Sequence, residues 1–167
     1  MRHILRRREV VEDDWRVAGE DGADEAGNPA LIVTLAQFRA DIAKWRAYLG
    51  RLGVRLSPAD AAEDLAEDIQ HLSLVAAEFP TPGEGRGYTQ GRLLRSRLQF
   101  KGELRAVGAA VKQDLLFILS RCGFDSFELA PGQKVEEALA ALDRYRVAYQ
   151  PAEAVPSIRQ QRYSVAG

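Results

Sequence analysis

The sequence predicts an α/β protein in which parallel β/α repeats form a small or incomplete barrel. Five strand–helix units follow one another along the chain, and three of the strands carry a charge in the middle of an apolar run. Successive strand–helix units favour parallel strands with right-handed crossovers. Strands buried on both faces are nearly all apolar, so the central charges indicate that one sheet face is polar. An open three-layer Rossmann-like sheet is the alternative.

The first two units begin with the short apolar runs 30–33 and 54–56. Thr34 and Gln37 form a capping-box pattern that opens a helix. Its predicted buried stripe is Phe38, Ile42, Trp45 and Leu49. In the second unit, Ser57 is an N-cap signal before a first-turn proline. The apolar residues that then recur at helical spacing are Ala62, Leu65, Ile69 and Leu72.

The third unit, Leu72 to Arg97, is the place where the sequence concentrates candidate chemistry. A mostly apolar strand ends at Phe79, and prolines and glycines then exclude regular structure up to Gly87. A helix is predicted from Tyr88, with one face formed by Tyr88, Gly91, Leu94 and Leu98. Free N–H groups and the helix dipole would make this junction a candidate anion site.

The last two units have strands at 103–107 and 126–129. Their helical stripes are Leu115, Ile118, Leu119 and Cys122, followed by Val135, Ala138, Leu139 and Leu142. At the other end of the chain, Glu9 to Ala18 predicts an N-terminal β-hairpin that turns at Asp13–Asp14. We expect a single domain over residues 1–149 that includes an acidic loop at 19–28, and an extended tail over 150–167.

Candidate binding residues follow from the rule that ligand sites of parallel α/β folds lie at the carboxyl ends of the strands. The candidate anion-binding residues are Gly85, Arg86, Gly87, Arg92 and Arg105. The candidates for a polar cleft are Arg55, Glu78 and Glu128. Arginine forks suit a carboxylate, phosphate or sulfur oxyanion. The alternative is a buried ion network that has only a structural role.

Composition excludes several classes of function. The net charge of −1 gives no field that would attract nucleic acid or an anionic membrane. One cysteine and two histidines leave no metal-ligand spacing, and the loop GEGRG matches neither a Walker A nor a dinucleotide motif. We therefore expect no metal and no cofactor. The N-terminus lacks the apolar core of a signal peptide, and we expect a cytoplasmic protein.

The run from Gly85 to Leu129 resembles a bacterial family called domain of unknown function nine hundred and thirty-four. The similarity extends to EDDW at 12–15, LGVRLSPAD at 52–60 and YQPA at 149–152. Gly91 and Ala109 depart from the family pattern, in which alanine and aspartate are expected. The resemblance implies a protein of assimilatory sulfur metabolism, encoded beside a sulfite or nitrite reductase haemoprotein, and it provides no catalytic residues.

Two functions are compatible with these observations. One is an accessory protein that supports or binds a sulfite reductase. The alternative is a small-anion-binding enzyme or oxidoreductase that acts on a sulfur oxyanion, a sulfonucleotide or a phosphorylated metabolite. A homodimer that covers open strand edges is a further hypothesis, because unpaired sheet edges must be protected.

Overall fold

A computed structural model describes residues 2–19, 27 and 29–143. Its strands are β1 (His3–Arg6), β2 (Glu9–Glu12), β3 (Arg16–Val17), β4 (Leu31–Thr34), β5 (Leu52–Leu56), β6 (Leu74–Glu78), β7 (Glu103–Val107) and β8 (Ser126–Phe127). Its α-helices are α1 (Leu35–Ala40), α2 (Ile42–Arg46), α3 (Arg86–Arg92), α4 (Leu116–Arg121) and α5 (Val135–Asp143). Three 3₁₀ turns cover Ala62–Leu65, Ile69–His71 and Gln113–Leu115, and a π-helical turn covers Leu93–Arg97.

The eight strands form one sheet in the order β2-β1-β8-β7-β6-β5-β4-β3. Its two edge strands, β2 and β3, are separated in the chain by three residues only, 13–15. Such a link spans at most about 14 Å, whereas a flat sheet of this size would be about 34 Å wide. The sheet must therefore curl until its edges approach each other, which confirms the predicted incomplete barrel.

Strands β3 to β8 are parallel and adjacent in chain order. Leu104 and Ala106 of β7 belong to the large apolar cluster that includes the helices. Val107 belongs to a second, smaller cluster on the other face, with Trp15 and Ile32. The residues on this concave, helix-free face are here called the lumen. The prediction of one helix-covered face is thus confirmed, but the lumen is only partly polar, because this apolar cluster lies beside the charged residues Arg55 and Arg105.

The N-terminal hairpin exists, but its predicted position was wrong. Strands β1 and β2 pair around a turn at Arg7–Arg8, and the predicted turn at Asp13–Asp14 lies in the link between opposite sheet edges. Both turn residues have positive φ, 47° and 65°. Such turns normally contain asparagine or glycine, so a pair of arginines gives no turn signal in the sequence.

Two residues assigned to buried helical stripes are exposed. The capping box of Thr34 and Gln37 is confirmed, but Asp41 then caps a new helix through the backbone N–H of Lys44. Because α2 ends soon afterwards, Leu49 lies beyond it and is 86% exposed. In α4, Ile118 is 49% exposed.

The segment between β5 and β6 was wrongly predicted as an α-helix. The Asp60 carboxylate accepts the backbone N–H of Ser57 at 2.7 Å, and Ala61 is extended. Two short 3₁₀ turns follow instead. The predicted apolar residues are nevertheless all buried, because a spacing of three also suits 3₁₀ turns: Ala62, Leu65, Ile69 and Leu72.

Glycines allow the central helix to pack closely. A Cβ atom on Gly87 would lie 2.5 Å from the Phe79 ring, and one on Gly91 would lie 2.4 Å from the Phe124 ring. The two rings also contact each other edge to face. Both glycines are therefore explained by packing of α3 against the sheet.

Candidate functional site

The lumen contains a buried ion network centred on Arg105. Its side chain and that of Asp13 are both 0% exposed. One guanidinium nitrogen donates to both Asp13 oxygens at 3.0 and 3.1 Å. The other two donate to the Glu103 carboxylate at 3.0 and 2.7 Å. Arg105 thus has all three of its nitrogens bonded to carboxylates of its own chain.

The network extends to the N-terminal hairpin and neutralises its own charge. Asp13 also accepts hydrogen bonds from Arg2, which reaches Glu128 at 3.2 Å. Arg6 lies 3.5 Å from the remaining Glu103 oxygen. The network holds equal numbers of guanidinium groups and carboxylates. Because unpaired buried charges are costly, this balance gives the network a structural role.

Arg55 and Glu78 meet at the carboxyl end of the lumen. Arg55 Nε donates to Glu78 at 2.6 Å, and both side chains are partly exposed. The structure thus pairs two of the three predicted cleft residues with each other. The third, Glu128, lies after β8 and binds Arg2 instead.

The glycine-rich loop holds an internal carboxylate. Glu84 accepts the backbone N–H of Arg86 at 3.1 Å and its guanidinium at 3.0 and 3.2 Å. These contacts hold the pKa of Glu84 below its usual value, mainly through the Arg86 side chain. A Cβ atom on Gly85 would have no neighbouring atom within 4 Å, so packing does not require glycine there. The predicted anion-binding position at Arg86 is therefore adjacent to a carboxylate of the same loop.

Arg92 and Arg95, in and directly after the central helix, differ in exposure and in hydrogen-bond partners. Arg92 is exposed. Arg95 donates to the carbonyl oxygens of Gly123, Phe100 and Gly102 at 2.8 to 3.0 Å. Sequence reasoning missed this role of Arg95, because carbonyl acceptors leave no charge pattern in the sequence.

Gln90 joins α3 to the loop after β5. Its amide nitrogen donates to the carbonyls of Ser57 and Asp60, both at 2.8 Å. Its carbonyl oxygen is buried and has no hydrogen-bond partner among the described residues. Gln90 is therefore a buried polar residue that connects α3 to this loop. Cys122 is buried, as predicted.

A cavity of about 410 Å³ lies at the amino ends of the parallel strands. Its wall includes residues that directly precede β5, β6 and β7. Arg6, Arg7 and Arg51 line it together with Trp15, Glu9 and Glu103. The sequence rule for parallel folds points to the opposite end of the strands, so this cavity was not predicted.

Asp125 contacts Arg7, one of the residues lining this cavity, and also Arg95. Burial raises the pKa of the Asp125 carboxyl and the nearby Glu103 carboxylate adds to this effect, while the Leu104 N–H and both arginines oppose it. Arg7 approaches it only to 3.6 Å. The two guanidinium groups therefore do not fully compensate the burial of this carboxylate.

The described part of the chain contains neither a cluster of metal-ligating side chains nor a membrane-spanning helix. Within residues 2–19 and 29–143, no three His, Cys, Asp or Glu side chains are grouped so that they could hold a metal ion. No helix in the same residues has the length and apolar character needed to cross a bilayer. The predicted tail at 150–167 and most of the acidic loop lie outside the described residues.

Comparison with known proteins identifies a family whose function is described as unknown. No curated protein matches the chain. A family model described as "Bacterial protein of unknown function (DUF934)" matches residues 53–158. This segment contains β6 to β8, all of β5 except its first residue, the central helix and the Arg55–Glu78 pair. Since this match covers more than half of the sequence, the chain belongs to that family.

Proposed function

We propose that this protein is an accessory protein of assimilatory sulfur metabolism that binds a sulfite reductase in the cytoplasm. The supporting observation is the internal pairing of the charged side chains of the lumen and its carboxyl end. A catalytic site for an oxyanion needs hydrogen-bond donors directed at the substrate. Arg55, Arg86 and Arg105 direct theirs at carboxylates of the same chain.

The family resemblance supplies the pathway in this proposal. The exposed side of the central helix supplies the proposed binding surface for the reductase. The central helix ends in a π-helical turn, a rare element that is frequent at functional sites. Arg92, Ser96 and Arg97 are exposed along it. The only carboxylate near Arg97 among the described residues is the exposed Glu63, at 3.7 Å. This surface suits an acidic patch on a partner protein.

Binding to a purified sulfite reductase haemoprotein tests the proposal. We expect a saturable complex at low salt, detected by size-exclusion chromatography and calorimetry. The double substitution Arg92→Glu/Arg97→Glu should weaken it at least tenfold, because like charges would face each other. Arg39→Glu on α1 is the control and should leave affinity unchanged, while circular dichroism verifies that the fold is retained.

Absence of any complex at low salt, with tagged protein at native levels failing to retain the reductase, would contradict the proposal. An equal loss of affinity in the Arg39→Glu control would contradict the assignment of the surface. If no complex forms, the alternative is an enzyme or oxidoreductase acting on a sulfur oxyanion, a sulfonucleotide or a phosphorylated metabolite. Exposed Arg92 is the predicted anion-binding residue that favours this alternative.

A further inference from the structure

We propose that the cavity at the amino ends of β5, β6 and β7 binds a small oxyanion through Arg6, Arg7 and Arg51. The ligand class is a sulfate-, phosphate- or carboxylate-type group, which guanidinium forks bind through paired hydrogen bonds. This site is separate from the surface proposed for the reductase. Either proposal can therefore fail without the other.

The three arginines come from two distant parts of the chain. Arg6 ends β1, Arg7 lies in the hairpin turn, and Arg51 precedes β5. Folding brings them to the wall of one cavity of about 410 Å³. This volume lies within the range of small-molecule sites, about 300–1,000 Å³.

The internal partners of these arginines are held loosely. Arg6 contacts Glu103 at 3.5 Å, and Arg7 contacts Asp125 at 3.6 Å. Strong charge-assisted bonds are shorter, about 2.7–2.9 Å. Arg51 pairs closely with Asp14, but both side chains are about half exposed, so solvent weakens this pair. Arg6 thus gives the lumen network only one long contact, through a single nitrogen, and all three guanidinium groups retain hydrogen-bonding capacity for a ligand.

Two carboxylates also line the cavity and limit the ligand. Glu103 is already bonded to Arg105, so its charge is largely compensated. Glu9 is exposed at the cavity wall. Three arginines and two glutamates leave a lining charge of +1, which favours a small anion of low charge over a polyphosphate.

The hairpin turn supplies an independent indication. Arg7 and Arg8 adopt positive φ, a conformation that costs a non-glycine residue stability and that is enriched at functional sites. Asparagine and glycine would satisfy this turn better. Arginine at the first turn position places a cation at the cavity wall despite this cost.

Two indole N–H signals report binding in a ¹H–¹⁵N NMR titration. Trp15 lines the cavity with Arg51 above its ring at 5.0 Å. Trp45 lies in the helix-side cluster, and its indole donates to the Gln37 carbonyl. Sodium sulfate, phosphate and acetate are titrated against sodium chloride at equal ionic strength. We expect a saturable shift of the Trp15 signal and none of the Trp45 signal.

Matched variants locate the site. Arg51→Gln should weaken binding of the best anion at least fivefold. Arg39→Gln, which likewise removes one exposed arginine paired with one aspartate, should leave it unchanged. Arg92→Gln tests the position predicted from sequence and should also have no effect. The proposal is overturned if the Trp15 signal does not shift, if chloride acts equally, or if Arg51→Gln binds as well as Arg39→Gln.

Discussion

The lumen and the amino-end cavity both place arginines next to carboxylates, but with opposite consequences. In the lumen, Arg105 and Asp13 are fully buried and joined by two hydrogen bonds of 3.0 and 3.1 Å. At the cavity, the Arg7 side chain is 73% exposed and lies 3.6 Å from Asp125. Burial and distance, rather than residue type, therefore separate an arginine that stabilises the fold from one that remains available to a ligand.

Removal of Arg105 should have the largest effect. Arg105→Met leaves Asp13 and Glu103 buried without their main partner, so we expect a loss of about 3–5 kcal/mol in the free energy of unfolding. Urea denaturation measures it. Arg51→Met, at the exposed pair, is the control and should cost less than about 1 kcal/mol. Similar losses in the two variants would remove the distinction between the regions.

Arg95 combines features of both regions, since it is mostly buried, bonds three neutral carbonyls and also lies 3.3 Å from the Asp125 carboxylate. Arg95→Lys keeps the charge but replaces the planar fork by a point donor that cannot reach three carbonyls together. We expect a loss of about 2 kcal/mol, measured by urea denaturation. Arg92→Lys, on the same helix, should leave stability unchanged. If both variants are neutral, the carbonyl contacts of Arg95 do not stabilise the fold.

Replacement of Arg7 should increase stability and weaken ligand binding. Arg7→Asn relieves an unfavourable positive φ and removes only a long, exposed ion pair, so we expect a gain of about 0.5 kcal/mol. Differential scanning calorimetry measures this gain. The same variant should bind sulfate more weakly than the wild type does. A clear loss of stability would show that Arg7 belongs to the structural network.

The smallest effect concerns pH. Because burial raises the folded-state pKa of Asp125, the folded protein binds the proton more tightly than the unfolded chain does. The Asp125 contribution to stability is therefore largest at low pH and falls as pH rises from about 3.9 through the folded pKa. As pH rises through this range, the free energy of unfolding of Asp125→Asn should increase relative to that of the wild type. A shift in the opposite direction would contradict the assigned cause.

The architecture could be predicted because it depends on local patterns. The charges at Arg55 and Arg105 within apolar strands indicated one polar sheet face, and the Thr34–Gln37 capping box marked a helix start. Segment 58–72 was wrong because apolar spacing of three suits both α-helical and 3₁₀ backbones. The Gln90 side chain of α3 occupies the Ser57 and Asp60 carbonyls, and this long-range contact cannot be recognised from periodicity alone.

The candidate site was harder to predict because some of its residues pair with residues that are distant in sequence. Neither partner of Arg105 was a candidate residue: one is Glu103 on its own strand, and the other is Asp13, 92 residues away. Asp13 was taken for a turn residue because two adjacent aspartates are typical of turns. Only the curl of the sheet, which brings the link between β2 and β3 over the lumen, determines this contact.

Parallel double-mutant cycles compare the two regions most directly. One cycle combines Asp13→Asn with Arg105→Gln, and the other combines Asp14→Asn with Arg51→Gln, each measured by urea denaturation. We predict a coupling energy of about 2–3 kcal/mol for the buried pair and less than about 0.5 kcal/mol for the exposed pair. Equal coupling energies, or a larger value for Asp14 and Arg51, would contradict the division between a structural lumen and an available cavity.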